Sequence, residues 1–280
     1  MKLNNENAVF FVPCGESEEI ALSRTTDLCI TAHQDDIEFW AFCAISACKK
    51  DNCRFFTGVT VADGAGSPRS GKFANMTDED MKRVRINEQN EAAKIGKYSA
   101  QLQLGYSSKV IKDGKNTALI GELAGIIEKA SPKTLYIHNL ADKHDTHVAV
   151  SLRVIEALNS LPKEKWPEKI IALEGWRDLD WLSDDEKVLF DCADEELFLK
   201  LVSVYESQIA GGKRYDVASV GRRRANATFL SSHSVDVYES VSYGMDITDE
   251  LKKGSSPLEI IVSAVERFKA DVSKRIEKLS

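Results

Sequence analysis

Short apolar runs recur through the first two thirds of the chain, and polar loops or segments with helical spacing separate them. The runs Leu28–Thr31, Arg54–Val61, Lys133–His138 and Ile170–Glu174 are rich in apolar, β-branched and aromatic residues, a composition typical of buried strands. Gln101–Leu104 is a candidate for a further strand. The pattern therefore predicts at least four strands spread along the chain, and not a bundle of helices.

Apolar residues at helical spacing fill the segments between these runs. Strands separated by single helices form a parallel sheet with helices on both faces, so we predict an α/β fold with a Rossmann-like, mostly parallel sheet. From about residue 195 to residue 280 the chain is charged and mostly helical, which indicates one α/β domain over residues 1–280 with a helical C-terminal extension. The predicted helices cover residues 36–49, 77–96, 117–130, 148–158, 195–209 and 257–279.

Composition and charge exclude several classes of function. The chain has 280 residues and a net charge of −7, whereas proteins that bind nucleic acids or anionic membranes carry a basic excess. No apolar run approaches the ~20 residues that span a bilayer, and the apolar stretch at residues 8–12 is too short for a signal peptide. The six cysteines include no C-x-x-C pair, so we expect structural, reduced thiols and a cytoplasmic protein.

Four of the five histidines lie close to the ends of predicted strands. His33 follows the first strand, His138 ends the third, and His144 and His147 come just after it. The carboxyl ends of neighbouring parallel strands meet at one edge of an open α/β sheet, and such sheets build their sites at that edge. We therefore expect the two groups of histidines to lie close together.

The spacing of these residues suits a divalent metal ion. His33 and Asp36 are three positions apart at the entrance to a helix, and His147 supplies a third ligand, which leaves the open position typical of catalytic zinc. Asp35 projects about 100° away from Asp36 on a helix, where it would contact water as a general base. The alternative is structural, because His33 would suit a hydrogen-bonded strand end and both aspartates would suit the first turn of a helix.

Two motifs resemble those of the PIG-L (LmbE-like) family of de-N-acetylases. Ala32-His-Gln-Asp-Asp36 is similar to the family's Ala-His-Pro-Asp-Asp signature, and Asp142-Lys-His-Asp-Thr-His147 is similar to its Asp-x-His-x-Asp-His motif. Three further segments support the resemblance: a helix that contains Arg85-Ile-Asn-Glu88, a later helix that ends in Ser207-Gln208, and a basic segment at residues 222–229. The five segments together form a specific pattern, and among the single segments only Ala32-His-Gln-Asp-Asp36 is specific by itself.

The resemblance implies a role for each residue of the two motifs. His33, Asp36 and His147 would be the metal ligands, and Asp35 would be the general base. His144 matches the histidine that, in its protonated form, stabilises the developing oxyanion or protonates the leaving amine. These roles imply a hydrolase that uses Zn²⁺, or another divalent metal such as Fe²⁺, to attack an amide with activated water.

The match is incomplete at some positions. Gln34 replaces the usual proline, Ile37 replaces the usual acid, and Thr146 replaces the aspartate before the last histidine. None of these changes removes a ligand, so they concern the identity of the substrate more than catalysis. Arg85 matches a residue near the family's substrate, but it is equally suited to a structural ion pair.

The resemblance implies that the substrate is a small acylated amine, an N-acetylglucosamine-type sugar or glycoconjugate. Two other functions stay open: an amidase on the same scaffold that cuts a different amide, such as a thiol conjugate, and a non-catalytic sugar- or nucleotide-binding protein. Nucleotide binding is disfavoured because no G-x-G-x-x-G follows the first strand, and a phosphatase with Asp35 as nucleophile would leave the histidines unused.

We interpret His138 and His233 as structural and Arg222–Arg224 as surface residues. A homo-oligomer and the role of residues 62–76 are left open.

Overall fold

The computed structural model describes residues 1–210 and 212–280. Eight strands within these residues form one sheet in the order β1-β4-β3-β2-β5-β6-β8-β7. The strands are β1 Val9–Phe11, β2 Asp27–Thr31, β3 Phe56–Ala62, β4 Ala100–Tyr106, β5 Thr134–His138, β6 Lys169–Leu173, β7 Lys187–Asp191 and β8 Val241–Asp246.

Helices connect these strands and cover both faces of the sheet, so that the buried apolar residues form two clusters, one on each face. No helix in the described residues is long and apolar enough to cross a membrane. The α-helices are α1 Glu18–Ser23, α2 Asp36–Trp40, α3 Phe42–Lys50, α4 Asp78–Gly96, α5 Ser108–Lys112, α6 Thr117–Ala130, α7 Asp145–Asn159, α8 Glu195–Val202, α9 Glu206–Ile209, α10 Tyr215–Phe229, α11 Thr248–Lys253 and α12 Pro257–Leu279.

The central five strands, β4-β3-β2-β5-β6, are all parallel. The predicted α/β fold with a mostly parallel sheet is therefore confirmed. The strand order reverses between β2 and β5, because the chain first builds β3 and β4 on one side of β2 and then crosses to the other side. This switch point opens a crevice at the carboxyl ends of β2 and β5.

Three strands were not predicted from the sequence, namely β1, β7 and β8. β8 pairs antiparallel with both β6 and β7, so the C-terminal segment contributes a strand to the main sheet as well as helices. β1 pairs antiparallel with β4 over only three residues. Antiparallel strands this short depend on distant partners, which a local sequence pattern does not report.

The helix predicted at residues 36–49 is two helices. α2 ends at Trp40 and α3 begins at Phe42, with Ala41 between them at φ −100° and ψ 19°. The guanidinium of Arg223, from α10, donates a hydrogen bond to the carbonyl oxygen of Phe39. A carbonyl near the end of α2 is thus satisfied by a side chain, which lets the chain change direction next to the crevice.

Candidate active site

The loop after β2 is a tight turn closed by its own side chain. The backbone N–H of His33 donates to Asp36 Oδ2 at 2.6 Å, and the backbone N–H of Asp36 donates to the carbonyl oxygen of His33 at 3.3 Å. These two bonds fix the positions of both residues relative to each other. The imidazole of His33 and the carboxylate of Asp36 consequently point to the same place, with Nδ1 and Oδ2 3.2 Å apart.

Asp35 has a backbone conformation that the sequence analysis did not predict. Its φ is +94°, a region that non-glycine residues rarely adopt. The expectation that its direction follows from a helical projection was wrong, because Asp35 precedes α2 and lies outside the helix. Two residues of α4 hold this turn: Gln89 Oε1 accepts from the N–H of Asp35 at 3.2 Å, and Arg85 donates to the carbonyl oxygen of Gln34.

The loop after β5 delivers the second group of histidines. His144 caps the N-terminus of α7, where its Nδ1 accepts from the N–H of Thr146 at 3.3 Å. His147 lies in the first turn of α7 and is buried. Its Nδ1 is 3.5 Å from Oδ2 of Asp142, whose Oδ1 accepts from the backbone N–H of His144. Asp142 therefore orients His147 so that Nε2 faces the crevice.

The three predicted ligands come together across the switch point. His33 Nδ1, Asp36 Oδ2 and His147 Nε2 form a nearly equilateral triangle with edges of 3.2, 3.2 and 3.3 Å. Tetrahedral ligands at the ~2.0 Å typical of zinc are about 3.3 Å apart, so the triangle fits one face of such a site. Three electron-pair donors this close repel each other unless protons or a cation lie between them.

His138 is close to this triangle but is not suited to bind the metal. Its Nε2 lies 3.4 Å from Asp36 Oδ2. The same nitrogen accepts a hydrogen bond from the backbone N–H of Ala32 at 3.0 Å, so its lone pair is already used. The ring stacks on His147 with centroids 3.9 Å apart. Its contacts are those of a residue that supports the turn after β2 and the ring of His147.

The electrostatics of the triangle depend on Asp36 and His147. Burial alone would raise the pKa of Asp36, but the positive charge of His147, together with hydrogen bonds from the rings of His147 and His33, lowers it well below the usual range of an aspartate. Burial alone would lower the pKa of His147, but Asp36 and Asp142 raise it to about 10. The site thus stabilises a positive charge beside the Asp36 carboxylate, which a proton or a metal cation can supply.

Asp35 and His144 have different environments. Burial raises the pKa of Asp35 to about 6, although Arg85 opposes the shift with Nη2 3.4 Å from Oδ1. Burial and the neighbouring His147 and His33 lower the pKa of His144. A neutral His144 whose Nδ1 accepts from Thr146 carries its proton on Nε2. The geometry therefore favours a neutral N–H donor at this position, whereas the sequence analysis expected a protonated imidazole.

Part of this chain is similar in sequence to a known protein family. The family model described as PIG-L: GlcNAc-PI de-N-acetylase matches residues 28–158, which include both loops of the site. Residues 28–158 of this chain are therefore similar to the PIG-L family. A comparison with curated protein sequences gives no match.

Solved structures with the same fold come from distant organisms. The conserved protein TT1542 from Thermus thermophilus has a TM-score of 0.62 at 18% identity, over 79% of this chain and 94% of its own. N,N'-diacetylchitobiose deacetylase from Pyrococcus horikoshii has a TM-score of 0.56 at 18% identity, over 78% and 83%. GalB, the 4-carboxy-2-hydroxymuconate hydratase from Pseudomonas putida, has a TM-score of 0.55 at 18% identity, over 80% and 96%. At these identities the likeness establishes the PIG-L-like fold and not the reaction.

The triangle opens into a cavity of about 450 Å³. This volume is in the range of small-molecule sites, roughly 300–1,000 Å³. Its lining includes the aromatic side chains of Trp40, Trp176 and Tyr215, the exposed Lys112 and the buried Arg85. The sequence analysis predicted the acids and histidines, but it missed these aromatic residues because they lie outside the two motifs.

Two arginines have roles that composition did not reveal. Arg85 is buried and lines the cavity, where it forms an ion pair with Asp35, and its enclosed Nε and Nη1 have no hydrogen-bond partner among the described residues. The interpretation of Arg222–Arg224 as a solvated surface run was wrong for Arg223. Its guanidinium is buried 4.2 Å above the ring of Phe198, and it supports α2 behind the site.

Proposed function

We propose that this protein is a metal-dependent de-N-acetylase that removes an acetyl group from the amide nitrogen of an N-acetylglucosamine-type sugar or glycoconjugate. The observation that carries the proposal is the triangle of His33, Asp36 and His147 donor atoms beside the buried carboxyl group of Asp35. The PIG-L match over residues 28–158 supports it, as does the deacetylase name of a structure with the same fold.

His33, Asp36 and His147 would hold the metal, as Zn²⁺ or as another divalent ion such as Fe²⁺. Two imidazoles and one carboxylate are a donor set that suits either ion. Bound there, a divalent cation would supply a Lewis acid for the amide carbonyl and would lower the pKa of a neighbouring water molecule.

Asp35 is the proposed general base. It lines the same cavity, and its backbone is held at positive φ by Gln89, so the position of its carboxylate is fixed before substrate arrives. It accepts a proton from the water molecule that attacks the amide carbon. This proton then passes to the amide nitrogen as the C–N bond breaks, and the products are acetate and a free amine.

His144 and Arg85 are the proposed groups that act on the substrate. The ring of His144 lies at the edge of the triangle, 4.9 Å from the ring of His33 and 4.6 Å from that of His147. From there its Nε2–H can donate to the oxyanion that develops on the carbonyl oxygen. Arg85 lines the same cavity, and its guanidinium is the proposed partner of a substrate oxygen there.

The remaining parts of the chain fit the same proposal. The C-terminal segment supplies β8 to the sheet and Tyr215 to the cavity, so we propose that residues 1–280 form one domain. The aromatic wall of the cavity suits the apolar face of a pyranose ring. The hydratase that shares the fold indicates that the scaffold accommodates other reactions of water, so the test must not be restricted to acetylated sugars.

The test is a product assay on metal-defined protein. Purified protein would be stripped with a chelator, reloaded separately with Zn²⁺ and Fe²⁺, and incubated with N-acetylglucosamine, its β-1,4-linked dimer, lipid-linked N-acetylglucosamine and a thiol-conjugate amide. We expect equimolar acetate and primary amine from at least one N-acetylated sugar, and loss of this activity in the stripped protein.

The Asp35→Asn variant is the matched control, because it keeps the size of the side chain and all three proposed ligands. Amine release only from the thiol-conjugate amide would replace the substrate class and keep the mechanism. Release of no amine from any substrate by metal-loaded protein would contradict the proposed hydrolase, and full activity in the stripped protein would contradict its metal dependence.

A further inference from the structure

The last helix, α12, is unusual in how little of it packs on the rest of the chain. Of its 23 residues only Ile260 and Ala264 are buried, both in the first half. Every residue from 265 to 280 is exposed. Long helices are stabilised mainly by packing of an apolar face, so a half helix without such packing calls for a partner.

The exposed part of α12 carries an apolar stripe. Its positions follow the alternating spacing of four and three residues that defines a heptad repeat, a period of 3.5 residues and not 3.6. These side chains are between 39% and 78% exposed, and the face that packs on the domain lies elsewhere on the helix. The stripe consists of Leu258, Val262, Val265, Val272, Ile276 and Leu279, with Lys269 as the one charged member.

The charges around the stripe disfavour a membrane surface as its partner. Helices that lie on membranes have a polar face rich in lysine and arginine. The charged residues of α12 are instead five basic and four acidic, nearly balanced: Arg267, Lys269, Lys274, Arg275, Lys278, Glu259, Glu266, Asp271 and Glu277. Mixed charges of this kind suit another helix with the same mixture, because opposite charges can then pair along both edges of the seam.

We propose that α12 is a homodimerisation helix that forms a two-stranded coiled coil with α12 of a second copy of this chain. A heptad seam needs a partner with a matching seam. Phe268, which is 43% exposed, adds to the apolar surface of α12 beside the stripe, whereas exposed apolar side chains on the other elements, such as Ile20 and Phe229, are scattered. A second copy of the chain supplies the matching helix.

The size of the seam sets the expected strength of the dimer. A helix of 23 residues is about 35 Å long and about 10 Å wide, so pairing two of them covers roughly 700 Å². That is about half of the ~1,600 Å² of a standard stable interface. We therefore expect a concentration-dependent dimer with a Kd on the order of micromolar, and not a permanent one.

Lys269 favours an antiparallel arrangement. In a parallel pair the two Lys269 ammonium groups would face each other, because equivalent positions meet. In an antiparallel pair that places Val262 opposite Val272, Lys269 faces Val265 of the second copy and its ammonium lies close to that copy's Glu266. Within one helix Lys269 Nζ already lies 3.1 Å from Glu266 Oε2, so the ammonium is positioned at the edge of the seam.

The experiment measures mass in solution by sedimentation equilibrium of the full chain over roughly two decades of micromolar concentration. We expect the mass of the wild type to rise from 31.1 kDa towards twice that value. Ile276→Lys should abolish this rise, because it places a charge in the seam. Ala270→Lys is the matched control, since it adds the same charge on the solvent side of the helix and should leave the rise unchanged.

Two further variants test the seam and its direction. Lys269→Leu should tighten association by about tenfold or more, since a charged side chain at a core position of a coiled coil costs stability. Glu266→Lys should weaken association, and the double variant Glu266→Lys/Lys269→Glu should restore it if the helices are antiparallel. Circular dichroism would verify that each variant keeps the native helix content.

Several results would overturn the proposal. A wild-type mass of one chain at every concentration would do so, as would an Ile276→Lys variant that associates like the wild type. If Ile276→Lys associates like the wild type, any self-association uses a surface other than α12. If the charge-swapped pair associates no better than Glu266→Lys alone, the antiparallel arrangement is wrong.

Discussion

Buried carboxylates lie at both ends of strand β2, and they differ in their hydrogen-bond and ion-pair partners. At the amino end, Asp27 is 2% exposed and accepts hydrogen bonds from Arg54 at 2.6 and 3.2 Å, from the hydroxyl of Tyr136 at 3.1 Å and from that of Thr26 at 2.7 Å. Its charge is neutralised and its oxygens are satisfied within the chain. This is what a structural buried charge requires.

At the carboxyl end, Asp35 and Asp36 are also buried, but their surroundings are different. Asp36 faces ring nitrogens of His33 and His147, and each of these nitrogens can pair with the carboxylate only when it carries a proton or shares a cation with it. Asp35 sits at positive φ beside Arg85, whose Nε and Nη1 have no hydrogen-bond partner among the described residues. Buried charges whose partners all lie within the chain therefore indicate a structural role, whereas buried charges that require an external cation or substrate indicate a functional site.

Removing the proposed base at the carboxyl end should have the largest effect. We predict that Asp35→Asn lowers kcat by about 10²–10⁴-fold while the protein keeps its bound metal. The amide is isosteric with the carboxylate but cannot accept the proton of water. Steady-state kinetics together with elemental analysis would check this. Wild-type turnover in a variant verified by mass spectrometry would remove Asp35 from the proposed mechanism.

Removing the carboxylate at the amino end should act on stability instead. We predict that Asp27→Asn lowers the free energy of unfolding by about 3 kcal/mol, because Arg54 loses its buried partner. The estimate lies at the low end for buried pairs because about a third of the Arg54 side chain is exposed. Urea denaturation would measure the change. Turnover per folded molecule should stay within about twofold, and a large loss of kcat would break the comparison.

The support for His147 should have a smaller effect on metal binding. We predict that Asp142→Asn weakens metal affinity by about 10–100-fold. Oδ2 of Asp142 accepts from the backbone N–H of Trp176 at 3.0 Å and faces Nδ1 of His147. An amide nitrogen there would no longer hold the proton on Nδ1. Competition titration with a chromogenic chelator would check this, and unchanged affinity would show that His147 needs no such orientation.

The smallest expected effect is on the pH profile of turnover. Burial raises the pKa of Asp35 to about 6, and the base must be unprotonated to work. A bound cation favours the charged form and moves the pKa down. We therefore predict that kcat falls as the pH is lowered, with a midpoint at or below about pH 6. A midpoint near pH 8 would point to another base.

Local sequence patterns predicted the centre of this fold better than its edges. The runs at β2, β3 and β5 are continuous and apolar because both faces of a parallel sheet are buried, and α4 carries a capping box at Thr77 and Asp80. β8 has no comparable signal, because Gly244 interrupts it and its place between β6 and β7 depends on long-range pairing. Such pairing leaves little trace in neighbouring residues.

The candidate site was predictable where its residues lie in motifs and not elsewhere. His33, Asp36 and His147 were found because each follows a strand at a chemically meaningful spacing. The positive φ of Asp35 and its hydrogen bond to Gln89 were not predictable, since they arise from the packing of α4 against the turn. Trp176 and Tyr215 reach the cavity from segments whose position is set by the whole fold.

The distance along the chain between the two halves of the site links metal binding to folding. His33 and His147 are 114 positions apart, and they meet only because β2 pairs with β5. An ion that binds the native chain and not the unfolded one shifts the folding equilibrium by mass action, by about 4 kcal/mol at a concentration a thousand times its Kd. The ion that is proposed to act in catalysis would therefore also stabilise the contact between β2 and β5, and its removal would lower the melting temperature of the whole molecule.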